Sequence, residues 1–368
     1  MKAIAITPRK KDSLRVIEIP KPHLQTLSED RGVLVKVLQV GLDGTDKELI
    51  DAEYGEAQEG DDYLIIGHES LGIVEQIGNT VIELHPGDFV TATVRRPGTS
   101  AYDKMGMPDF TTDDVYFERG INRLHGYLTE YYVESPENLI RVPNRLKHVG
   151  VLLEPMSIVE KGIYQAFLIQ DRLKVWNPKK ALVMGAGTLG LLATLILRLR
   201  GIEVTVIART KPSYLNSDLV EAIDGCYLST KQTSLKEAAR THGPFDIIME
   251  ATGYSPLMFE AMEILAKNGI LILSSITGGD RKIEVAADRI NLGFVLGNKL
   301  CFGTVNANRF HFELAIKDLG QASLQFPGWP NKLLTHPING FDSTKVSEIL
   351  QRKPKGMIKS YCKIAPIE

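Results

Sequence analysis

The chain has 368 residues, 43% of them hydrophobic and 24% charged, which excludes a fibrous or disordered polymer and exceeds what one ordinary core accommodates, so two domains are expected. Its 43 Lys and Arg against 45 Asp and Glu leave a net charge of -2. No global field therefore draws it to nucleic acid or to an anionic membrane, and neither is an expected partner.

The first element predicted is a strand over Lys2 to Ile6, an apolar run too short for a secretory signal. Further short strands punctuated by Gly, Pro and Asp follow at Val33 to Val40, Gly72 to Ile77 and Asp88 to Val94, the texture of a barrel-like β domain. After Pro155 the apolar spacing becomes helical over Met156 to Ile169. Strand and helix then alternate: Ala181 to Met184, Thr188 to Arg200, Val204 to Ala208, Ser234 to Thr241, Phe245 to Met249, Pro256 to Ala266 and Ile270 to Leu273. That alternation predicts a parallel sheet with helices on both faces. From Ala307 the pattern is mixed and is expected to return to the first domain. The longest apolar stretch, Leu189 to Leu197, falls short of the roughly 20 residues that span a bilayer. Three cysteines, Cys226, Cys301 and Cys362, match no metal or redox spacing and read as thiols of a reducing compartment. A cytoplasmic protein is expected.

Gly185-Ala-Gly187-Thr188-Leu189-Gly190 directly follows a predicted strand and opens a predicted helix, the context in which GxGxxG lets backbone approach a pyrophosphate. The second strand of that unit would end in an acid if the site read the ribose hydroxyls of NAD. Here it ends in Arg209-Thr210-Lys211. A guanidinium fork suits a dianionic phosphate, so this triplet predicts preference for NADP, with weaker use of NAD.

Chemistry-bearing residues cluster in three stretches: Gly41-Leu-Asp43-Gly-Thr45-Asp46-Lys-Glu48, Gly67-His68-Glu69-Ser-Leu-Gly72, and Leu153-Glu154-Pro155. Taken singly, each His or Asp is more often a structural residue; an Asp, a His-Glu pair and a Glu-Pro together point to a metal centre. With Gly78 and Val81 completing the GHExxG stretch, the chain resembles the zinc-containing medium-chain alcohol and polyol dehydrogenases, in order along nearly its whole length. Within them it is most similar to the archaeal-type glucose dehydrogenases, through Gly-Thr-Asp, Gly-His-Glu, Arg95-Arg96, Glu118-x-Gly-Ile, His125-Gly and Val305-Asn306.

The resemblance implies an α/β protein: an N-terminal GroES-like β-barrel catalytic domain, residues 1–176 and 307–368, and a Rossmann doubly wound parallel-sheet domain, residues 177–306. It implies one catalytic zinc per subunit on Asp43, His68 and Glu154, with Glu69 as intermittent or outer partner and Asp46 orienting His68. Asp43 stands where the commoner pattern has Cys, so weaker and more exchangeable metal binding is expected. The lobe from Arg95 to His125 lacks the four cysteines that often hold a structural zinc, and packing around Tyr102, Phe110, Tyr116 and Phe117 is expected to hold it instead. His68 and Glu69 also enter the catalytic set with Thr45 and Glu48, expected to relay the alcohol proton. Sugar hydroxyls fall to Thr45, Glu118, Glu154 and Asn306, whereas Val94 and Ile158 are apolar where some relatives bind sugar. Thr252, Val305 and Asn306 join the cofactor set. The implied activity is oxidation of an aldose at its anomeric hydroxyl by a homodimer or homotetramer. The alternatives are another zinc polyol, alcohol or threonine dehydrogenase, or a catalytically silent NADP-binding relative.

Overall fold

The computed structural model describes residues 1–27, 30–276 and 278–368. In chain order the first elements are β1 (Lys2–Ile6), β2 (Arg15–Glu18), β3 (Val33–Leu42), α1 (Gly44–Ile50), β4 (Leu64–Ile65), β5 (Glu69–Ile77) and β6 (Phe89–Ala92). They continue with β7 (Arg95–Arg96), α2 (Ala101–Lys104), β8 (Phe117–Arg119), β9 (Arg123–Leu124), β10 (Tyr131–Glu134), β11 (Leu139–Val142) and α3 (Leu153–Gln170). The alternating part comprises β12 (Lys180–Met184), α4 (Thr188–Leu199), β13 (Glu203–Ala208), α5 (Leu215–Glu221), β14 (Cys226–Ser229) and α6 (Leu235–Thr241). It ends with β15 (Phe245–Glu250), α7 (Pro256–Ile264), β16 (Leu265–Leu273), α8 (Ala287–Gly297) and β17 (Leu300–Gly303). Last come α9 (Arg309–Gln325), β18 (Leu334–Asn339), α10 (Ser343–Gln351) and β19 (Lys359–Lys363).

Two compact units form: Met1–Ser157, Asn306–Ser323 and Pro330–Glu368 in one, Ile158–Val305 and Leu324–Trp329 in the other. The division falls inside α3. In the first unit a seven-stranded sheet runs β11-β6-β5-β3-β19-β18, with β10 also on β3. β3 is its centre because nine of the ten residues Val33–Leu42 are buried, Lys36 alone being partly exposed, so the strand can only lie with both faces covered. Its end pairs Gly41 with Glu69 of β5 and Gly41 with Tyr361 of β19, which brings the starts of β5 and β19 to one place. Val35, Val37, Val40, Leu49, Ile66, Val90 and Leu128 belong to the core beneath.

The second unit holds a six-stranded, wholly parallel sheet of order β14-β13-β12-β15-β16-β17. The strand order reverses beside β12, which is the doubly wound arrangement. α4 is buried from Gly190 through Leu197. Its apolar content on nearly every side marks a helix wedged against a sheet rather than an amphipathic surface helix. The helix expected to reach Ala266 ends at Ile264, and Leu265 and Ala266 open β16, where Leu265 pairs with Phe245. Both are buried apolar positions, so periodicity alone cannot distinguish the last turn of that helix from the first residues of that strand. Among the described residues no helix is long and apolar enough to cross a membrane.

Candidate metal, sugar and cofactor sites

The start of α1 builds half of the charged cluster by secondary-structure chemistry alone. Asp43 is the N-cap: its Oδ1 accepts the backbone N–H groups of Thr45 (2.9 Å) and Asp46 (3.2 Å), while Asp46 Oδ2 reaches back to the Asp43 N–H (3.0 Å). This reciprocal box satisfies the orphan donors of the first helical turn. It also fixes both carboxylates with one oxygen each to spare. Asp43 Oδ2 lies 3.6 Å from His68 Nε2, and Asp46 Oδ1 lies 3.9 Å from His68 Nδ1. The imidazole therefore sits between them, and Asp46 Oδ1 and His68 Nδ1 are buried with no hydrogen-bond partner among the described residues.

Glu69 opens β5 opposite Gly41, and its carboxylate is ion-paired with the ammonium of Lys359 at the start of β19; both side chains are almost wholly buried. A Cβ at position 41 would lie 1.8 Å from Glu69 Oε2 and 2.9 Å from Lys359 Cε, so only glycine leaves room for the pair. Glu154, in the first turn of α3, completes the cluster: donor atoms of His68, Glu69 and Glu154 lie within 4.8 Å of one another.

The charges decide what this pocket accepts. Burial raises the Glu154 carboxyl to about 8 and that of Asp46 to about 7, the neighbouring carboxylates of Glu69 and Asp43 adding to the rise against the pull of His68. Asp43 moves the other way, because contact with His68 outweighs burial and holds it below the usual carboxylate range. His68 is raised in return by Asp43, Asp46 and Glu154, although burial opposes its charge. Fully ionised, Asp43, Asp46, Glu69 and Glu154 would set four negative charges against the two of Lys359 and a protonated His68, an excess that is costly to bury and that holds Glu154 and Asp46 towards their neutral forms. A divalent cation is the natural complement, and the residues fit one. The 3.6 Å between Asp43 Oδ2 and His68 Nε2 is close to the edge of a tetrahedron with bonds of roughly 2.0–2.2 Å. One imidazole with carboxylates is a donor set for zinc, or for a harder ion in exchange.

Thr45 is half-buried, and its hydroxyl lies 3.5 Å from Asp43 Oδ2. Glu48 is half-buried on the same helix, and burial followed by the nearby Asp43 raises its carboxyl. Glu118 lies on β8 directly opposite Arg95 of β7. Its Oε1 accepts Arg95 Nε (3.1 Å), Arg95 Nη2 (2.6 Å) and Asn306 Nδ2 (2.6 Å), so Glu118 and Asn306 meet across 188 positions of sequence. Arg95 also lies over the Tyr116 ring at 4.7 Å. Among the described residues these donors to the Glu118 carboxylate all go to Oε1, which leaves Oε2 able to accept a hydroxyl.

Aromatic packing alone was expected to hold the lobe around Glu118; it contributes through Tyr102 and Phe110, whose rings are 6.4 Å apart. A buried ionic frame is the larger feature. Glu134 takes Arg96 and Arg119 on Oε2, and Ser135 N and Asn138 Nδ2 on Oε1, both at 3.0 Å. Arg96 also donates to Tyr127 (2.9 Å) and to the Thr93 carbonyl (3.0 Å).

In the second unit Gly185 has φ +108°, and a Cβ there would meet the Ala251 carbonyl at 2.7 Å. A Cβ on Gly190 would come within 2.0 Å of the Gly185 carbonyl oxygen. These two glycines let α4 start hard against its strand, with Gly187 as N-cap and Thr188 and Leu189 as its first turn, whose N–H groups suit an anion. Thr252 donates through its N–H and hydroxyl to Glu250 at the end of β15. The Val305 carbonyl accepts Lys161 Nζ at 2.8 Å. Arg209, Thr210 and Lys211 are exposed just beyond β13, and neither cation has an ion-pair partner among the described residues.

A strand-rich unit bearing a buried His–carboxylate cluster, followed by a doubly wound dinucleotide sheet, is the architecture of the medium-chain dehydrogenases. Residues 29–144 match the alcohol dehydrogenase GroES-like domain and residues 147–359 match the glucose dehydrogenase C-terminus. The chain is 47% identical over 340 residues to the glucose 1-dehydrogenase of Methanocella arvoryzae, covering 92% of itself and 93% of that protein. To the glucose 1-dehydrogenase of Haloferax mediterranei it is 36% identical over 352 residues, 93% of this chain and 95% of that one. The solved structure of Haloferax mediterranei glucose dehydrogenase in complex with NADP, Zn and gluconolactone superposes with a TM-score of 0.88 at 33% identity, covering both chains fully. Galactitol-1-phosphate dehydrogenase from Escherichia coli, 20% identical with a TM-score of 0.79 over 99% of this chain and all of that one, shares the fold. The chain belongs to the glucose dehydrogenase family.

Sequence reasoning missed Lys359. A lone lysine among several near the C-terminus carries no signal that β19 will set it beside Glu69. It also missed that Arg95 is spent on Glu118, a contact that only the antiparallel register of β7 on β8 creates.

Proposed function

We propose that the protein is an NADP-preferring glucose (aldose) 1-dehydrogenase with one zinc ion per subunit on Asp43, His68 and Glu154. The observation that carries this reading is the cluster of carboxylates around His68, two of them fixed by the capping box of α1, with Asp43 Oδ2 and His68 Nε2 spaced as two corners of a tetrahedral cation site. The relative that binds NADP, Zn and gluconolactone at full coverage supports it. When bound, the metal would supply Lewis-acid polarisation of the anomeric hydroxyl and the nicotinamide an acceptor for the C1 hydride, the overall change being aldose and oxidised cofactor to aldonolactone and reduced cofactor.

This chain's residues then divide the remaining work. Asp46, 3.9 Å from His68 Nδ1, favours the tautomer that keeps the proton on Nδ1 and presents Nε2. Lys359 pairs with Glu69 beside the cluster as its outer partner and opposes the burial that raises the Glu69 carboxyl. Glu118, immobilised on one oxygen by Arg95 and Asn306, offers the other to a sugar hydroxyl, and Glu154 and Thr45 complete the polar lining for the sugar. The alcohol proton passes to the Thr45 hydroxyl, which lies 3.5 Å from Asp43 Oδ2, and on towards Glu48. Gly185, Gly187, Thr188, Leu189 and Gly190 take the pyrophosphate, with Thr252, Val305 and Asn306 towards the rest of the cofactor.

We also propose a homodimer or homotetramer working in the cytoplasm. The exposed Leu292, Val295 and Leu296 of α8, the helix that precedes the edge strand β17, support self-association. Three free thiols support a reducing compartment. The decisive experiment loads the dialysed protein with zinc and screens glucose, galactose, xylose, simple polyols, secondary alcohols and threonine with NADP and NAD. Aldose oxidation that disappears with chelator and returns with zinc is expected. Turnover indifferent to chelator, or turnover of alcohols and not aldoses, would overturn the proposal.

A further inference from the structure

Arg209 and Lys211 are exposed, and a solvent-facing cation contributes little to holding an anion when both it and its backbone must be ordered on binding. The backbone here is already fixed. Three consecutive carbonyls leaving β13 each accept a donor from the end of β14: Ala208 from Thr230 N–H (2.9 Å), Arg209 from Ser229 Oγ (3.3 Å) and Thr210 from Tyr227 Oη (2.6 Å). Tyr227 has one hydroxyl proton and gives it to Thr210, so at its 2.9 Å contact with Tyr214 it must accept. The result is a directed chain, Tyr214 to Tyr227 to the Thr210 carbonyl, whose bonds reinforce one another.

The far end of that chain is also tied down. Tyr214 caps α5, its N–H donating to Ser217 Oγ (3.0 Å) and its carbonyl accepting that hydroxyl (2.7 Å). Two residues on, Asn216 Nδ2 donates to the Ala186 carbonyl at 2.6 Å, inside the glycine turn itself. The start of α5 therefore joins the turn suited to the pyrophosphate and the loop carrying Arg209 in one hydrogen-bonded frame.

We infer that Tyr227, buttressed by Tyr214, is a positioning residue for coenzyme choice: it holds the Arg209–Lys211 backbone in the conformation that presents its cations to the 2′-phosphate of NADP. The inference rests on the reading that Arg209 takes that phosphate. Tyr227 acts only through the Thr210 carbonyl, without touching the cofactor. Its removal should therefore weaken NADP binding while sparing NAD, which has no 2′-phosphate. A residue that merely stabilises the domain would affect both.

The test measures dissociation constants of NADPH and NADH by fluorescence titration of the zinc-loaded protein, for wild type and Tyr227→Phe, Tyr214→Phe and Arg209→Ala. Loss of one hydrogen bond predicts that Tyr227→Phe weakens NADPH about five- to tenfold and NADH less than about twofold, with Tyr214→Phe smaller in the same direction. Arg209→Ala tests the underlying reading and should weaken NADPH more steeply still, with NADH nearly unchanged. If Arg209→Ala discriminates and Tyr227→Phe does not, or weakens both coenzymes equally, the positioning role is overturned and the phosphate reading stands. If Arg209→Ala fails to discriminate, both fall together.

Discussion

Replacing Glu134 by Gln probes the frame that supports the sugar lobe. Burial alone would raise this carboxyl; the guanidinium groups of Arg96 and Arg119 outweigh it and hold the folded value at about 2. An unfolded Glu ionises near the ordinary value of 4.5, so the folded state is favoured by roughly 2.5 units, or about 3 kcal/mol, at neutral pH. The sign follows from proton binding. Between the two values the unfolded chain takes up a proton that the folded chain refuses, so this stability is full above about pH 5.5 and fades as pH falls. Roughly 1.4 kcal/mol of it is gone by pH 3.5. Glu134→Gln removes the charge and leaves two buried guanidinium groups facing a neutral amide, a loss of about 3 kcal/mol. Urea unfolding of both proteins between pH 3.5 and 7 measures the gap, which should be widest at pH 7 and narrow on acidification. A gap that stays constant with pH would show that the ionic frame is not what stabilises the lobe.

Asp43→Cys should tighten zinc binding in a competition titration with a chromophoric chelator, because thiolate is the softer ligand. It should also lower unfolding stability by about 1 kcal/mol, since cysteine does not close the capping box; unchanged zinc affinity would count against Asp43 as a ligand. Gly190→Ala should abolish coenzyme binding by isothermal calorimetry, because its methyl would sit 2.0 Å from the Gly185 oxygen and force α4 off its strand. Tight binding in that variant would remove the turn from the cofactor site.

What could be read from the sequence tracks how local the physics is. The GxGxxG turn and the strand expected over Val33 to Val40, which runs on to Leu42, depend on neighbours within a few residues, and their residue types announce them; the Asp43–Asp46 box is as local, yet in the sequence both acids read only as parts of the metal centre. The boundary at Leu265 is not announced, because a buried apolar pair satisfies a helix and a strand equally. Lys359, Arg95 and the Tyr214–Tyr227 relay acquire their roles only through strand register and loop closure. Residue type and local spacing carry no signal for those long-range pairings.

The box at the head of α1 has a further consequence. Asp43 serves two masters, one oxygen ending a helix and the other facing the imidazole. With the proposed cation on Asp43, unfolding that turn would release it, and its capture would in turn resist fraying of the turn, so the two events would be thermodynamically one. Substitutions at this position are filtered by secondary structure as well as by chemistry. An exchange of ligand type there has to find another way of starting the helix.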